Sequence, residues 1–426
     1  MEKLYDAVIV GGGPAGLLSA RLLKEKGNSV LVIEIKKSFK TLKRACSMQF
    51  ILDDGYEGDY VKVEDGKIKF LRAGFDVNYS GILVPVKHKY YHSPHDNVIS
   101  FGNDEPFAYK FDKRKLLEDL YEECVSLGVD FLLNSAAYDG EDEGDKVRID
   151  YRKGNDKGSV YGKKLIIAEG VNAALAQKFG LNEGRHHFAT AVVGKYFVKG
   201  IKGIETNSWN LFYGRAFHSN AAVIIGPSIH GDDIKEVTIT GDRNNPPAKV
   251  FEEFCNDSPM SPQLKDIEVV EKQGCFVKAF NASKKPYKGN VISIGDAAAF
   301  VEVEVQGAFL CAYYASIAVD KELKGSQGFE DYTEWWLNAF EFNSDEYLRV
   351  SQGYALVPVY TDDELDYLFA LLKDKTLEGT YSQYRTPKLI WDSIWEEEDT
   401  IKEERPAIFE KMQKMNQMTL STAFAK

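Results

Sequence analysis

The sequence lacks several features that would place it in other protein classes. Its 426 residues hold only five cysteines, at scattered positions and without a C-x-x-C pair, which argues against a disulfide framework or a structural zinc site. No apolar run approaches the roughly 20 residues that span a bilayer. The N-terminus also lacks the layout of a secretion signal. These absences predict a reduced, cytoplasmic protein with no transmembrane segment.

An excess of positive charge is also missing. The chain carries 53 lysines and arginines against 65 acidic residues, a formal net charge of −12, which argues against nucleic acid as a partner. A local basic segment with Lys36, Lys37 and Lys40 indicates a solvated loop or a docking site for an acidic electron donor. Hydrophobic residues make up 44% of the chain, which is typical of a globular protein with two or three domains.

The first 34 residues predict a strand, a helix and a second strand. Residues 5–10 are a short β-branched apolar run that ends in glycines, residues 14–26 have helical spacing, and residues 29–34 repeat the apolar run. This order favours an α/β fold with a Rossmann-like parallel sheet. An amphipathic helix is predicted over 112–127, with Asp112 as its N-cap and Gly128 as its stop.

Later segments predict a different kind of sheet. Residues 188–280 are mostly strands with turns, typical of an inserted antiparallel substrate domain, and a helix is predicted over 306–323, followed by a helical C-terminal region. The predicted segments are FAD-binding parts at 1–70, 112–184 and 289–325, substrate-domain parts at 71–111 and 185–288, and the helical region 326–426.

A glycine motif occupies the first predicted turn. Gly11-x-Gly13-x-x-Gly16 lies between strand and helix, and Glu34 ends the second strand 18 residues after Gly16. Such a turn lets a dinucleotide pyrophosphate approach the helix N-terminus, while the acidic residue accepts hydrogen bonds from a ribose. The alternative is a glycine turn that only connects two elements.

Three further segments follow in the order of a known family. Arg44 follows the second strand, Ala168-Glu169-Gly170-Val171-Asn172 lies mid-chain, and Gly295-Asp296 follows a late strand. Together with the glycine motif, they resemble the FAD-dependent family that includes aromatic hydroxylases and geranylgeranyl reductases. The resemblance implies FAD as cofactor. It implies these binding residues: Gly11, Gly13, Pro14, Ala15, Gly16, Glu34, Arg44, Gly170, Gly295, Asp296, Gly307 and Ala308.

Cys46 is a candidate catalytic residue. The resemblance to geranylgeranyl reductases implies a cysteine near the flavin ring at this place, where a thiol would donate a proton to a substrate carbon or modulate the flavin. The alternative is a small buried side chain.

Glu302 and Glu304 are the other catalytic candidates. They alternate with valines in VEVEV, a pattern that by itself predicts a strand with both glutamates on an exposed face. The family resemblance instead implies that this linker runs along the flavin ring. A carboxylate there would be partly desolvated, with a raised pKa suited to proton transfer.

Four clustered residues, His88, His92, His95 and Asp96, raise the question of a metal site. Imidazole and carboxylate suit zinc or iron, but Pro94 interrupts any helix that would align them. We therefore predict loop or substrate-pocket histidines and no metal.

Three functions are compatible with the motifs. The first is a geranylgeranyl reductase-like enzyme that reduces or dehydrogenates a carbon–carbon bond by hydride transfer at flavin N5. The second is an aromatic-hydroxylase-like monooxygenase, and the third is a flavin-free prenyl-carrier-like protein, which the retained glycines, Glu34 and Asp296 disfavour. Expected partners are a small apolar or aromatic substrate and NAD(P)H or a ferredoxin-like donor. The segment 221–227 departs from the tryptophan-containing strand motif of the relatives, although Trp209 lies on a neighbouring strand, which disfavours a long isoprenoid substrate and halogenation.

Overall fold

The computed structural model describes residues 3–417, apart from residues 43, 47, 54, 103, 219–221, 300, 344–358, 379, 381 and 383–384 and the side chain of Tyr56. The predicted helical region 326–426 therefore lies partly outside the described residues. The fold is mixed α/β, with parallel and antiparallel sheets and helices.

A sheet with a parallel centre is built around the first strand. Its parallel strands are, in order, β11 (Asp130–Leu133), β2 (Val30–Glu34), β1 (Leu4–Val10), β14 (Asp156–Ile167) and β21 (Val291–Ser293). Antiparallel strands extend it: β12 (Ala136–Asp142), β13 (Val147–Lys153) and β20 (Tyr287–Lys288). The central strands are buried on both faces, as their continuous apolar runs predicted.

A second large sheet is mainly antiparallel. Its order is β19 (Glu268–Phe280), β15 (His187–Lys199), β18 (Ile234–Gly241), β17 (Ala222–Pro227), β16 (Ser208–Phe212), β8 (His88–His92), β9 (Val98–Gly102) and β22 (Thr376–Glu378). Among the described residues of this sheet, the β16–β8 and β9–β22 pairs are parallel and the other pairs are antiparallel. The antiparallel prediction for 188–280 is confirmed, but a helix within it, α4 (Pro247–Asp257), was missed.

Two small sheets lie in the first third of the chain. One contains β3 (Gln49–Ile51), β10 (Ala108–Phe111) and β7 (Leu83–Val86), and the other β4 (Val61–Glu64), β5 (Lys67–Phe70) and β6 (Phe75–Asn78). Strand β10 leads into α2 (Lys113–Ser126). Asp112 caps α2 by accepting the Arg114 N–H at 2.9 Å, and Gly128 follows with φ +82°. Both predicted ends of this helix are confirmed.

Helices cover the parallel sheet and fill the C-terminal part. They are α1 (Pro14–Glu25), α3 (Ala174–Lys178), α5 (Glu304–Leu323), α6 (Gly328–Ala339), α7 (Asp362–Ala370), α8 (Arg385–Trp395), α9 (Glu398–Glu404) and α10 (Pro406–Met415). Helix α5 packs against α1 and α6, which places its N-terminus near the β1–α1 turn. Among the described helices, none is long and apolar enough to cross a membrane.

Candidate functional site

The β1–α1 turn depends on two of its glycines for close backbone packing. Gly11 has φ +108°, and a Cβ atom there would overlap the carbonyl oxygen of Ala168. A Cβ atom on Gly16 would overlap the carbonyl oxygen of Gly11. Only glycine avoids these overlaps, so the motif closes the turn by bringing backbone against backbone.

Gly13 differs from these two glycines because there is room for a side chain at its position. It is the N-cap of α1, and a Cβ atom there would meet no described atom within 4 Å. Pro14 begins the helix and Ala15 is buried in its first turn. The space beside Gly13 at the N-terminus of this 12-residue helix is therefore open, an arrangement suited to a phosphate group.

Glu34 lies beneath this turn at the end of β2. Its carboxylate is only 3% exposed. One oxygen accepts the N–H of Gly12, and the other accepts the backbone N–H of Lys36 at 2.7 Å and its ammonium at 3.0 Å. The carboxylate is thus held rigidly beside the glycine turn, and Lys36 belongs to this cluster rather than to a free solvated loop.

The Gly295-Asp296 turn lies against the start of α1. Gly295 has φ +65°, and a Cβ atom there would lie 3.6 Å from the Cβ of Ala15. The Asp296 carboxylate accepts the N–H of Val303 at 3.0 Å. This bond closes the loop that precedes α5.

The mid-chain element packs beside the same turn. Gly170 has φ +74° in a short turn over 170–172 that contacts the turn over 295–297. Glu169 accepts the Ala176 N–H at 2.9 Å, so its carboxylate caps α3. Arg185, which sequence reasoning missed, donates to the carbonyls of Ala297 and Ala299 and fixes the loop between Asp296 and α5.

The structure corrects the strand predicted from VEVEV. Glu304 begins α5, two residues earlier than predicted, with a left-handed backbone at φ +55°. Val303 and Val305 are buried, while Glu302 and Glu304 are half-buried rather than on an exposed strand face. Buried valines alternate with half-buried glutamates because Val303, just before α5, and Val305, in its first turn, both point into the core. Gly307 and Ala308 are buried in the first turns of α5.

Glu57 is a second residue that sequence reasoning missed. It is buried, its backbone is left-handed at φ +54°, and its Oε2 has no hydrogen-bond partner among the described residues. A Cβ atom on Gly307 would lie 2.5 Å from that oxygen, so Glu57 points at the start of α5. Burial, followed by the charges of Glu304, Glu341, Asp296 and Glu302, raises the pKa of Glu57 well above its usual value.

The carboxyl group near the start of α5 whose pKa is raised is thus Glu57, which comes from a distant segment. The raised pKa expected for Glu302 or Glu304 stays a prediction. Protonated Glu57 therefore holds a transferable proton near the carboxyl groups of Asp296, Glu302 and Glu304. A left-handed backbone at both Glu57 and Glu304 is typical of sites where strain is kept for function.

Glu57→Gln is expected to stabilise the protein at neutral pH. Glutamine resembles the neutral acid, whereas wild-type Glu57 keeps its proton in the folded state and loses it in the unfolded state above the ordinary pKa of 4.5. The free energy of unfolding of the wild type should therefore fall as pH rises from that value toward the folded pKa. Urea unfolding across this pH range measures the difference.

The control for this prediction is Glu64→Gln, which changes an exposed carboxylate paired with Lys69. We expect wild type and Glu57→Gln to converge at acidic pH and to diverge as pH rises. Parallel pH profiles for these two proteins would show that Glu57 is ionised in the folded state.

Cys46 accepts a hydrogen bond from Lys113, a residue that no sequence motif indicated. The Lys113 ammonium donates to Cys46 Sγ at 3.2 Å. Burial lowers the pKa of Lys113, but the Cys46 sulfur and then Asp296 raise it, and the net pKa is raised. Arg44 is half-buried nearby and acts electrostatically on Lys113 and on Cys275. The structure thus brings together Arg44, Cys46 and the surroundings of Asp296.

The histidines of the predicted cluster have separate partners. His92 Nε2 lies 2.9 Å from Asn210 Oδ1, His88 lies 3.6 Å from Glu205, and exposed His95 lies 3.7 Å from Asp366. Across the part of the chain that the structure describes, no group of His, Cys, Asp and Glu side chains is arranged to hold a metal ion.

Comparisons with known proteins agree with this geometry. A family described as an FAD binding domain matches residues 4–52, which include the glycine turn and Glu34. A digeranylgeranylglycerophospholipid reductase of Methanocaldococcus jannaschii is 21% identical over 385 residues, 89% of this chain and 93% of its own length. The protein is an FAD-dependent oxidoreductase. The oxidoreductase resembles geranylgeranyl reductases, as its motifs predicted.

Solved structures support the same fold. A geranylgeranyl bacteriochlorophyll reductase-like protein from Thermoplasma acidophilum aligns with a TM-score of 0.74 at 18% identity, covering 97% of this chain and all of that one. A p-nitrophenol 4-monooxygenase from Pseudomonas putida aligns with a TM-score of 0.66 at 16% identity, covering 97% and 99%. The fold of the oxidoreductase is therefore shared by reductases and monooxygenases.

The residues of the oxidoreductase fit FAD. The uncovered helix N-terminus at Gly13 and the buried carboxylate of Glu34 offer the two groups that a dinucleotide needs, a phosphate site and a ribose acceptor. Sequence reasoning found both, because both belong to one continuous segment.

Proposed function

We propose that this oxidoreductase reduces, or in the reverse direction dehydrogenates, a carbon–carbon bond of a largely apolar small molecule. Bound FAD supplies hydride chemistry at N5. The observation that carries the proposal is the Lys113–Cys46 contact, since reduction of a C=C bond needs a proton as well as a hydride.

Different residues of this chain bind different parts of the cofactor. The N-terminus of α1, with Gly11, Gly13, Pro14, Ala15 and Gly16, holds the pyrophosphate, and Glu34 holds the adenosine ribose. Asp296 holds the ribityl chain while Gly170 and Gly295 shape its turn. Arg44, Gly307 and Ala308 line the remaining cofactor surface.

The sheets divide the two binding tasks. We assign FAD binding to the Rossmann-like parallel sheet, from segments 1–70, 112–184 and 289–325, and substrate binding to the antiparallel segments 71–111 and 185–288. We assign 326–426 to a C-terminal region whose described residues are mainly helical. The loop with Cys46 lies where the two regions meet, because Ala45 donates to the carbonyl of Gly274 on β19 at 3.4 Å.

Cys46 and Lys113 manage the proton. The Cys46 thiol donates its proton to the substrate carbon next to the one that receives the hydride, and Lys113, protonated at neutral pH, returns a proton to Sγ. An ammonium that touches sulfur also stabilises the thiolate formed in between. This assigns Cys46 a catalytic role and Lys113 the role of its proton source.

An apolar substrate suits the surroundings and the relatives. A buried cluster of Ile51, Val86, Phe107, Ala108 and Trp209 lies between β3–β10–β7 and the large antiparallel sheet. The relatives act on digeranylgeranylglycerophospholipid, by their names, so unsaturated chains are the first substrates to test. The electron donor is NAD(P)H or a ferredoxin-like protein.

An anaerobic experiment tests the proposal. The purified protein is reduced with dithionite, and the flavin spectrum is followed after addition of farnesol, farnesyl phosphate or air. We expect flavin reoxidation with a saturated product, absent or much slower in Cys46→Ala and normal in Cys255→Ala, which alters a thiol on α4. Oxygen-dependent reoxidation with a hydroxylated product would instead establish a monooxygenase.

Glu302→Gln or Glu304→Gln is expected to keep FAD bound but to slow turnover by about 10–100-fold, the range for loss of a proton-transferring group. Both side chains are half-buried at the start of α5. Together with Asp296, they act electrostatically on Glu57. Steady-state kinetics and flavin content are the measurements. Wild-type turnover in both variants would show that neither glutamate takes part in proton transfer.

A further inference from the structure

Two half-buried cysteines from distant segments approach one another beside the proposed reaction site. Cys46 lies in the loop between β2 and β3, and Cys275 lies on β19. The Ala45 N–H donates to the carbonyl of Gly274 at 3.4 Å, and Cys275 Sγ donates to the carbonyl of Ala45 at 3.5 Å. The two backbones are therefore in contact at the residue that precedes each cysteine.

This contact brings the two cysteines close to the geometry of a disulfide. Backbones joined by an N–H···O bond lie about 5 Å apart, and disulfides join residues whose Cα atoms are about 4.4–6.8 Å apart. The Ala45 carbonyl oxygen belongs to the planar peptide unit that leads to Cys46, so it lies about 3 Å from the Cys46 Cα atom. Cys275 Sγ contacts that same oxygen, which places it within roughly 6.5 Å of the Cys46 Cα atom.

Positive side chains lie near both sulfur atoms. The Lys113 ammonium donates to Cys46 Sγ at 3.2 Å. Burial raises the pKa of Cys275, while Arg44 and Lys113 act against this increase. Cysteines that react with oxidants are typically partly exposed, lie beside a cation and have a second thiol within reach. Cys46 meets these three conditions, with Cys275 as the second thiol.

The other three cysteines lie on helices. Cys124 on α2 and Cys311 on α5 are buried, and Cys255 on α4 is half-buried. Burial raises the pKa of Cys255 to about 11, which keeps it a thiol at neutral pH. Cys255 is therefore a matched control, because it is as accessible as Cys46 and Cys275 and lies in the same antiparallel segment as Cys275.

We propose that Cys46 and Cys275 are an oxidation site, at which a hydroperoxide converts the two thiols into a reversible disulfide. The proposal goes beyond the proposed function and rests on it for two points. Reduced FAD that meets oxygen instead of substrate releases hydrogen peroxide, and Cys46 supplies the substrate's proton. The disulfide removes this proton donor, so turnover stops until a dithiol reduces the bond by thiol–disulfide exchange.

The oxidation proceeds in two steps. The Cys46 sulfur attacks one oxygen of hydrogen peroxide, the O–O bond breaks, and a sulfenic acid forms as a first water molecule leaves. The Cys275 sulfur then attacks the sulfur of Cys46. An S–S bond forms, and the sulfenic hydroxyl leaves with the thiol proton of Cys275 as a second water molecule. The two thiols together lose two electrons, which reduce the peroxide to water.

Counting free thiols tests the proposal. The purified holoprotein is treated with hydrogen peroxide, unfolded in urea with N-ethylmaleimide and analysed by mass spectrometry. We expect five labels on the untreated chain, one for each cysteine, and two fewer after oxidation, because a disulfide uses two thiols. Peptide mapping should find Cys46 joined to Cys275, and dithiothreitol should restore all the labels.

Two single variants separate this pair from the other thiols. In Cys275→Ser, Cys46 has no partner thiol and should be oxidised further to a sulfinic acid, which dithiothreitol does not reverse. Cys255→Ser should form the same reversible disulfide as the wild type. Full labelling of the wild type after peroxide treatment, or an equal yield of disulfide in Cys275→Ser, would overturn the proposal.

Turnover distinguishes this proposal from the proposed function. Reduction of farnesol should fall by about 100-fold or more after oxidation, the contribution of a proton-transferring group, and should return with dithiothreitol. A reversible disulfide between Cys46 and Cys275 in a protein that reduces no C=C bond refutes the reductase alone. Undiminished turnover with every thiol still free after peroxide treatment refutes the oxidation site alone.

Discussion

Gly13→Ala is expected to weaken FAD binding by about 100-fold, roughly 2.7 kcal/mol, without changing the fold of the apoprotein. The added methyl group meets no described atom within 4 Å, so the folded chain accommodates it. The same methyl group would occupy the space in front of α1 through which a pyrophosphate approaches the backbone. Flavin content and the melting temperature of the apoprotein measure the two effects separately.

Gly16→Ala provides the contrast for this prediction. Its methyl group would overlap the carbonyl oxygen of Gly11, so this variant should lose stability even without cofactor. An unchanged FAD affinity in Gly13→Ala would mean that the pyrophosphate does not approach the chain at this turn.

Glu236→Gln is expected to destabilise the protein by about 3–5 kcal/mol, the usual cost of breaking a buried ion pair from one side. The substitution leaves two buried ammonium groups, those of Lys110 and Lys195, without their shared carboxylate. Urea unfolding of the holoprotein at neutral pH measures this loss.

Lys195→Met is expected to destabilise the protein less than Glu236→Gln does, because it leaves the Lys110–Glu236 ion pair in place. The two variants remove opposite charges from one cluster, so they form a matched set. A larger loss in Lys195→Met than in Glu236→Gln would show that packing of the Lys195 side chain contributes more to stability than its ion pair with Glu236.

The nucleotide-binding turn was predictable because its determinants are local. Gly11, Gly13, Gly16 and Glu34 fall within 24 residues, and the buried runs on each side fix a parallel strand pair. The Asp112 cap of α2 was predictable for the same reason. Resemblance to known flavoproteins then extended this local information to Asp296.

Errors arose where a short pattern had more than one structural solution. Alternation of valine and glutamate over 301–305 suits a strand, but the Asp296 bond to the Val303 N–H closes a loop, and a helix begins at Glu304. Helix α4 was missed inside a strand-rich region, although Pro247 at its start and buried Val250 and Phe254 carried a helical signal.

The sequence by itself determined the cofactor class, the parallel strands around the first turn and the candidate thiol at Cys46. Only the tertiary structure decided which charges meet. Lys113 reaches Cys46 across 67 residues, and Lys110 reaches Glu236 across 126, while Glu57 points at Gly307 from another segment. Burial and unlike neighbours set the ionisation of such groups, and both depend on how strands from distant segments are packed together.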